Sequence, residues 1–152
     1  ILRDKENFYI AYESEEPFTD RMLGRKRPRD SREIWKDSDA EFFISPDGDT
    51  DHYYQLLVNP WGALDDLEAE KGVVNYAWNS GAEVKSSILK GKKWCAEIRL
   101  PRKSMRPAAK EGILVNFGRH RALQGGTGRR SRGVRPPKSK GSSGQITRDC
   151  RH

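Results

Sequence analysis

Several patterns that would define a protein class are scarce or missing in this sequence. No stretch approaches the roughly 18 consecutive apolar residues that a membrane-spanning helix needs, so the sequence predicts no such span. Only two cysteines occur, Cys95 and Cys150. They could pair, but one pair does not make a disulfide framework. The cysteines therefore do not indicate whether the protein works in an oxidising or a reducing compartment. The three histidines, His52, His120 and His152, lack the spacing of metal ligands.

The chain also lacks an initiator methionine and a recognisable signal peptide, which leads us to expect a processed or excised piece of a longer protein. Helical periodicity is nearly missing, and no aromatic residue follows Phe117. Charged residues make up 34% of the sequence, above the roughly 25% that is usual for globular domains. Apolar residues reach only 34%, which still allows one domain with a core.

Positive charge is concentrated at the C-terminal end. Residues 119–152 hold ten of the 29 Lys and Arg residues and one of the 22 acidic residues, so the rest carries 19 basic against 21 acidic side chains. Gly, Ser, Arg and Lys dominate from Gln124 onward. We therefore predict a folded domain over residues 1–123 and a disordered basic tail over 124–152. The abrupt change in composition would also fit a misread reading frame.

Short alternating segments bounded by turn residues predict an all-β fold, an antiparallel β-sandwich of immunoglobulin-like or jelly-roll type. The predicted strands are 7–13, 38–45, 52–59, 82–89, 94–100 and 113–118, with a further strand start at 63–66. Residues 68–75 are predicted as a loop and 101–107 as a single helical turn. The turn residues Pro46-Asp47-Gly48-Asp49 indicate a hairpin between 38–45 and 52–59.

This hairpin carries the most informative pattern in the chain. Side chains alternate along a strand, so one face would bury Ala40, Phe42, Ile44, Tyr54, Leu56 and Val58. The other face would present Asp39, Glu41, Tyr53, Gln55 and Asn59, with Trp35 nearby. Carboxylates and amides bind hydroxyl groups, and an aromatic ring covers the C–H face of a sugar. An ordinary solvated sheet face is the competing interpretation.

Five segments then follow one another in a familiar order and spacing: NFYIAY (7–12), Trp35 with DAEFFISPDGD (39–49), YYQLLVNP (53–60), KWCAEIRLP (93–101) and LVNFGR (114–119). Together they resemble the carbohydrate-binding modules of family 9, a DOMON-like β-sandwich family. The resemblance implies non-catalytic binding of a glycan or terminal sugar, with xylan or cellulose as examples. It also implies an accessory module of a glycoside hydrolase or a surface protein, located outside the cell, in the periplasm or at the cell surface.

The resemblance also suggests roles for individual residues. Trp35 corresponds to the first of two tryptophans that clamp a sugar, and Glu41 to the binding carboxylate. Gln55 and Asn59 lie on the strand that adds polar contacts. The likeness is incomplete at both ends, because the opening strands and a second tryptophan after residues 114–119 are missing. Leu57 stands where the family has an arginine.

Two further residues complete the candidate ligand-binding set. Asp39 shares the polar face of the hairpin, and Trp61 stands at a strand end, where a tryptophan could either stack on a sugar or pack.

Catalysis and metal binding have less support in the sequence. Asp39, Glu41 and Glu97 could approach each other on one sheet face, as a glycosidase pair would, but acidic residues are abundant and we expect no enzyme. Asp47, Asp49 and Asp51 alternate like the start of a calcium loop. The Glu of such a loop is missing, since position 58 is Val. We expect no cofactor, with calcium as the one ion to consider.

Two rival functions remain open at this level. Related sandwiches in some dehydrogenases hold haem, which Met22, Met105 or a histidine would have to ligate here. Alternatively, the basic stretch from Arg129 to Lys140 would bind an anionic polymer through phosphate contacts. That stretch has no interleaved aromatics to stack on bases, which makes nucleic acid the weaker option. The sequence does not define an oligomeric state.

Overall fold

The computed structural model describes residues 1–107 and 113–125, together with the backbone of 129–132. The strands are β1 (Leu2–Arg3), β2 (Asn7–Glu15), β3 (Asp39–Ser45), β4 (His52–Val58), β5 (Leu64–Glu70), β6 (Val73–Asn75), β7 (Glu83–Leu89), β8 (Lys93–Pro101), β9 (Leu114–Arg121) and β10 (Arg129–Arg132). Single 3-10 turns span Thr19–Arg21, Ile34–Lys36 and Arg102–Ser104. No helix in the described ranges is long and apolar enough to cross a membrane.

The strands form two antiparallel sheets, as the sequence predicts for a β-sandwich. The smaller sheet has the order β1-β2-β8-β7 and the larger one the order β10-β9-β3-β4-β5-β6. The predicted hairpin is present, with Ala40 opposite Val58 and Ile44 opposite Tyr54. In the larger sheet, β3 lies between β4 and β9. The hairpin is therefore central, and its outward side chains have neighbours on both sides.

The core lies between the sheets and follows the predicted alternation. Phe42, Tyr54 and Leu56 of the larger sheet are at most 1% exposed. They belong to one apolar cluster with Trp94 and Ile98 of the smaller sheet. Burial of such side chains is the main favourable term in folding. Because these residues define the inner face of the hairpin, the alternate residues point away from the core. We call the solvent side of the six-stranded sheet the outer face.

Two segments depart from the expectations. Strand β5 continues to Glu70 and forms a hairpin with β6, where the sequence predicted a loop at 68–75. Lys71 and Gly72 make the connecting turn, both with positive φ, a backbone region that glycine adopts readily. Within the predicted disordered tail, the backbone of Arg129–Arg132 pairs with β9 as strand β10. The rest of that prediction, for 126–128 and 133–152, concerns residues outside the described part.

Candidate functional site

The outer face is reached by a loop that comes before the hairpin. Ile34, in the 3-10 turn of this loop, is fully buried and packs with Leu57 and Ala63 in a second, smaller apolar cluster. Leu57 lies directly opposite Glu41 in the hairpin, and residues directly opposite each other in a sheet point to the same face. The turn that carries Trp35 therefore sits on the face that carries Glu41. The indole of Trp35 is 53% exposed.

Glu41 and Gln55 are linked on this face. The Nε2 atom of Gln55 donates a hydrogen bond of 3.1 Å to Oε2 of Glu41, and both side chains are half-buried. On the other side of Glu41 stands Gly118 of β9. A Cβ atom there would come within 3.3 Å of Cβ of Glu41. The missing side chain of Gly118 thus leaves room for the Glu41 side chain over β9.

An aromatic pair continues the outer face from Gln55 toward the far end of the hairpin. Phe43 lies directly opposite Gln55. Its ring meets that of Tyr53 edge to face, with centroids 5.8 Å apart. Both residues are half-buried. The face thus combines an exposed indole, a carboxylate, an amide and two partly covered rings. Protein groups of these kinds bind polyhydroxylated ligands.

Asn59, which the sequence assigned to this polar set, is instead a buried structural residue. Its side chain is 0% exposed. Its Nδ2 atom donates to Oδ2 of Asp37 at 2.9 Å and to the carbonyl of Arg25, and its Oδ1 accepts from the backbone N–H groups of Trp61 and Ala63. All of its hydrogen-bonding capacity is used inside the protein. We therefore leave Asn59 out of the candidate site.

The same network explains the basic loop before the hairpin. Arg27 donates two hydrogen bonds of 2.7 Å each to the carboxylate of Asp37, which also receives the amide of Asn59. A third bond joins Arg27 to Glu33. The hydrogen bonds that Arg27 donates to Asp37 raise the pKa of Arg27 above its ordinary value. This arginine therefore holds the loop in place for Trp35 and is not available to an external anion.

Asp39 differs from its expected placement, and Trp61 takes the packing alternative of the two considered for it. Asp39 is 1% exposed, with Nδ1 of His120 3.7 Å from its Oδ2, so it does not reach an external ligand. Trp61 is half-buried and packs against the main core. A Cβ atom on Gly24 would lie only 2.4 Å from its ring. Gly24 therefore allows the backbone to lie against the indole, and Trp61 packs rather than presenting a stacking surface.

The acidic candidates for metal binding and catalysis do not converge. Oδ1 of Asp49 accepts the backbone N–H of Asp51, and Oδ2 of Asp47 lies 3.9 Å from His52. Among the described residues, no group of three or more His, Cys, Asp or Glu side chains is arranged to hold a metal ion. Glu97 pairs with Ala11 in the smaller sheet. It lies on the opposite side of the sandwich from Glu41, so the two cannot form the glycosidase pair considered from the sequence.

The residues named for the rival functions occupy other places. Met22 and Met105 are both buried in the main core. Nε2 of His52 lies 3.0 Å from Oε1 of Glu68. Most of the basic stretch proposed for anionic polymers lies outside the described residues. Haem and nucleic-acid binding accordingly stay predictions from the sequence, and no contact among the residues that the structure describes favours either one.

One pair of residues on the outer face was missed by the sequence analysis. The guanidinium of Arg32 lies over the ring of Tyr76, 3.9 Å from its centroid. Its Nη1 atom bonds Asp65, and its Nη2 atom donates to the carbonyl of Tyr76. Asp65 stands directly opposite Leu57. Burial raises the pKa of Asp65, and the charge of Arg32 opposes that shift. Both partners lie outside the predicted strands, so no periodic pattern could indicate a shared face.

Comparison with known proteins supports the architecture. No protein-family model matches the chain, and no curated protein matches it. Among solved structures, it is similar to a candidate carbohydrate-binding protein from Bacteroides uniformis ATCC 8492, with a TM-score of 0.59 and 20% sequence identity. The match covers 76% of this chain and 58% of that one, so this chain spans less than two thirds of its neighbour. At this identity the similarity shows a shared β-sandwich fold.

Proposed function

We propose that this domain binds carbohydrate without catalysis, on the outer face of its six-stranded sheet. Trp35 stacks on the apolar face of a sugar ring, while Glu41 accepts hydrogen bonds from hydroxyl groups and Gln55 adds an amide. The observation that carries the proposal is the half-exposed Trp35 directly after Ile34, whose buried side chain packs on Leu57, on the sheet face that also carries the Glu41–Gln55 pair. The fold shared with a candidate carbohydrate-binding protein supports the same proposal.

The proposed site is smaller than the sequence analysis expected, since it contains three of the six candidates. Asp39, Asn59 and Trp61 contribute to its framework by packing and hydrogen bonding. Weak binding is expected, because each sugar hydroxyl must lose water before it bonds the protein. An accessory role beside a polysaccharide-degrading enzyme or surface protein, and a location outside the cell, in the periplasm or at the cell surface, belong to this proposal. Glycans of the xylan and cellulose type are the first ligands to test.

The experiment is a glycan-array screen of the protein followed by titration calorimetry with the soluble sugars that bind. Trp35→Ala should weaken binding about tenfold, the loss expected for one aromatic stacking contact, and Trp35→Phe should lose less. Phe18→Ala is the control, because its ring is 44% exposed but lies near Arg21 and Arg121 rather than on the outer face. An unchanged glycan profile for Trp35→Ala, or no glycan bound by the unaltered protein, would overturn the proposal.

A further inference from the structure

Trp35 and Tyr76 are the two most exposed aromatic side chains among the described residues, at 53% and 55%. A soluble domain gains nothing in stability from leaving a large ring in water, and exposed aromatic surface with polar neighbours is typical of binding sites. The sequence analysis did not single out Tyr76.

Tyr76 belongs to the outer face. It follows Asn75, the last residue of β6, which pairs with Glu68. Glu68 bonds the buried His52 on the inner side of the sheet. Tyr76 itself lies in the turn after β6. Its placement follows from Arg32, which contacts both Tyr76 and Asp65, because Asp65 lies opposite the outward-facing Leu57.

A single short loop fixes both exposed rings. Arg32 lies against Tyr76 at one end of this loop, and the buried Ile34 anchors the turn that carries Trp35. The anchoring residues on the sheet, Asp65 and Leu57, are directly opposite each other on neighbouring strands, which are about 4.8 Å apart. The anchoring points of the two ring-bearing segments are therefore adjacent on one surface.

The chemistry around Tyr76 suits a sugar. Arg32 covers one side of the ring, and its Nη1 and Nη2 atoms are taken by Asp65 and by the carbonyl of Tyr76. Asp65 offsets the guanidinium charge, so the position has no strong demand for an anionic ligand. The remaining exposed ring surface can lie against the C–H face of a neutral sugar unit.

Resting on the proposed function above, we propose that Tyr76, positioned by Arg32, forms a second sugar-binding position beside Trp35. The ligand is then a chain of at least two neutral sugar units rather than a single terminal sugar. Tyr76 stacks on the second unit, and Arg32 acts as a positioning residue that keeps the ring over the sheet.

The test compares a monosaccharide with its trisaccharide, glucose with cellotriose and xylose with xylotriose, by titration calorimetry. The unaltered protein should bind the trisaccharide roughly tenfold more tightly than the monosaccharide, the gain expected from one further stacking contact. Tyr76→Ala should remove that gain and leave monosaccharide affinity unchanged, while Tyr76→Phe should retain it. Val74→Ala is the matched control, because Val74 is 38% exposed in β6, two residues before Tyr76.

Arg32 is tested by its coupling to Tyr76. Arg32→Lys keeps a charge for Asp65 but loses the flat group against the ring, so it should weaken trisaccharide binding alone. In the Tyr76→Ala background it should cause no further loss, a coupling that a merely structural role would not produce. Should Tyr76→Ala lower the melting temperature, Tyr76→Leu repeats the measurement with the apolar bulk kept.

The outcomes separate the two proposals. Loss of binding in Trp35→Ala with an unchanged trisaccharide gain in Tyr76→Ala would overturn the second position and leave the proposed function intact. Equal affinity of the unaltered protein for monosaccharide and trisaccharide would do the same. A protein that binds no sugar at all would overturn both.

Discussion

Glu41 and Gln55 bridge neighbouring strands of the hairpin by a 3.1 Å hydrogen bond on the exposed face of the larger sheet. The bond orients the carboxylate, and none of the hydrogen bonds among the described residues involves its other oxygen, Oε1. A carboxylate accepts stronger hydrogen bonds than a neutral amide does. We therefore predict that the charge of Glu41 contributes more to sugar affinity than its shape does.

Glu41→Gln keeps the size of the side chain and still accepts the bond from Gln55, but it removes the charge. We expect sugar affinity to fall by roughly fivefold, the difference between a charged and a neutral acceptor. The melting temperature should change little, because the side chain is only half-buried. Calorimetric titration and a thermal melt measure the two effects. Unchanged affinity would remove Glu41 from the site.

Gly118 provides an independent test of the same carboxylate. In Gly118→Ala the new Cβ atom would stand 3.3 Å from Cβ of Glu41, so the Glu41 side chain must move. Sugar affinity should fall several-fold although the substituted residue offers no ligand contact, and the unfolding free energy should drop by about 1 kcal/mol from overpacking. Asn116→Ala, on the same face of β9 two residues earlier, is the control and should bind normally.

The hairpin could be predicted from sequence because its alternation is strict. Phe42 and Leu56 face the core and Glu41 and Gln55 face out, as a period of two requires. Strand β5 was cut short for the opposite reason. Its acidic residues suggest a loop, yet Glu70 is bonded by Arg106, a residue distant in sequence. Tertiary partners of this kind override local propensity.

The candidate site was predicted less completely for a related reason. Gln55 and Asn59 both carry amide side chains and belong to the same alternating pattern. Only Asn59 contacts the loop that carries Asp37 and Arg25. A period-two pattern gives the face of a residue and does not say whether another segment covers that face. The pairing of Arg32 with Tyr76 depends on the same loop, so it became apparent only from the three-dimensional arrangement.

Asn59 should therefore matter for stability rather than for binding. Asn59→Ala leaves the backbone N–H groups of Trp61 and Ala63 without their acceptor and takes a donor from the buried Asp37. We expect the unfolding free energy to fall by roughly 3 kcal/mol, since each buried group left without a partner costs about 1–3 kcal/mol. Urea denaturation measures the loss.

The matched control for Asn59→Ala is Gln55→Ala, which removes a half-buried amide from the same alternating run of residues. It should cost less than about 1 kcal/mol and weaken sugar binding instead. If Asn59→Ala retained full stability but lost sugar binding, the role implied by the family resemblance would be restored.

Glu16 gives the fold a defined sensitivity to acid. Its side chain is 0% exposed and accepts hydrogen bonds from Arg119 at 2.9 Å and from Arg121 at 2.6 and 2.8 Å. These bonds join the loop after β2 to β9. The hydrogen bonds from Arg121 lower the pKa of Glu16 below its ordinary value, against the effect of burial.

A carboxylate with a lowered pKa in the folded state stabilises the protein above the pKa of the unfolded chain, about 4.5. The stabilisation is lost as the pH falls below that value through the folded pKa, because folding then competes with proton binding to the unfolded chain.

In Glu16→Gln this titration is absent. The unfolding free energy at pH 7 should be about 3 kcal/mol lower, the cost of breaking a buried ion pair, and it should fall less steeply between pH 5 and pH 3. Glu13→Gln, whose side chain is 52% exposed beside Lys93, should follow the unaltered protein across that range. Parallel pH profiles for Glu16→Gln and the unaltered protein would show that the Glu16–Arg121 pair contributes nothing to acid stability.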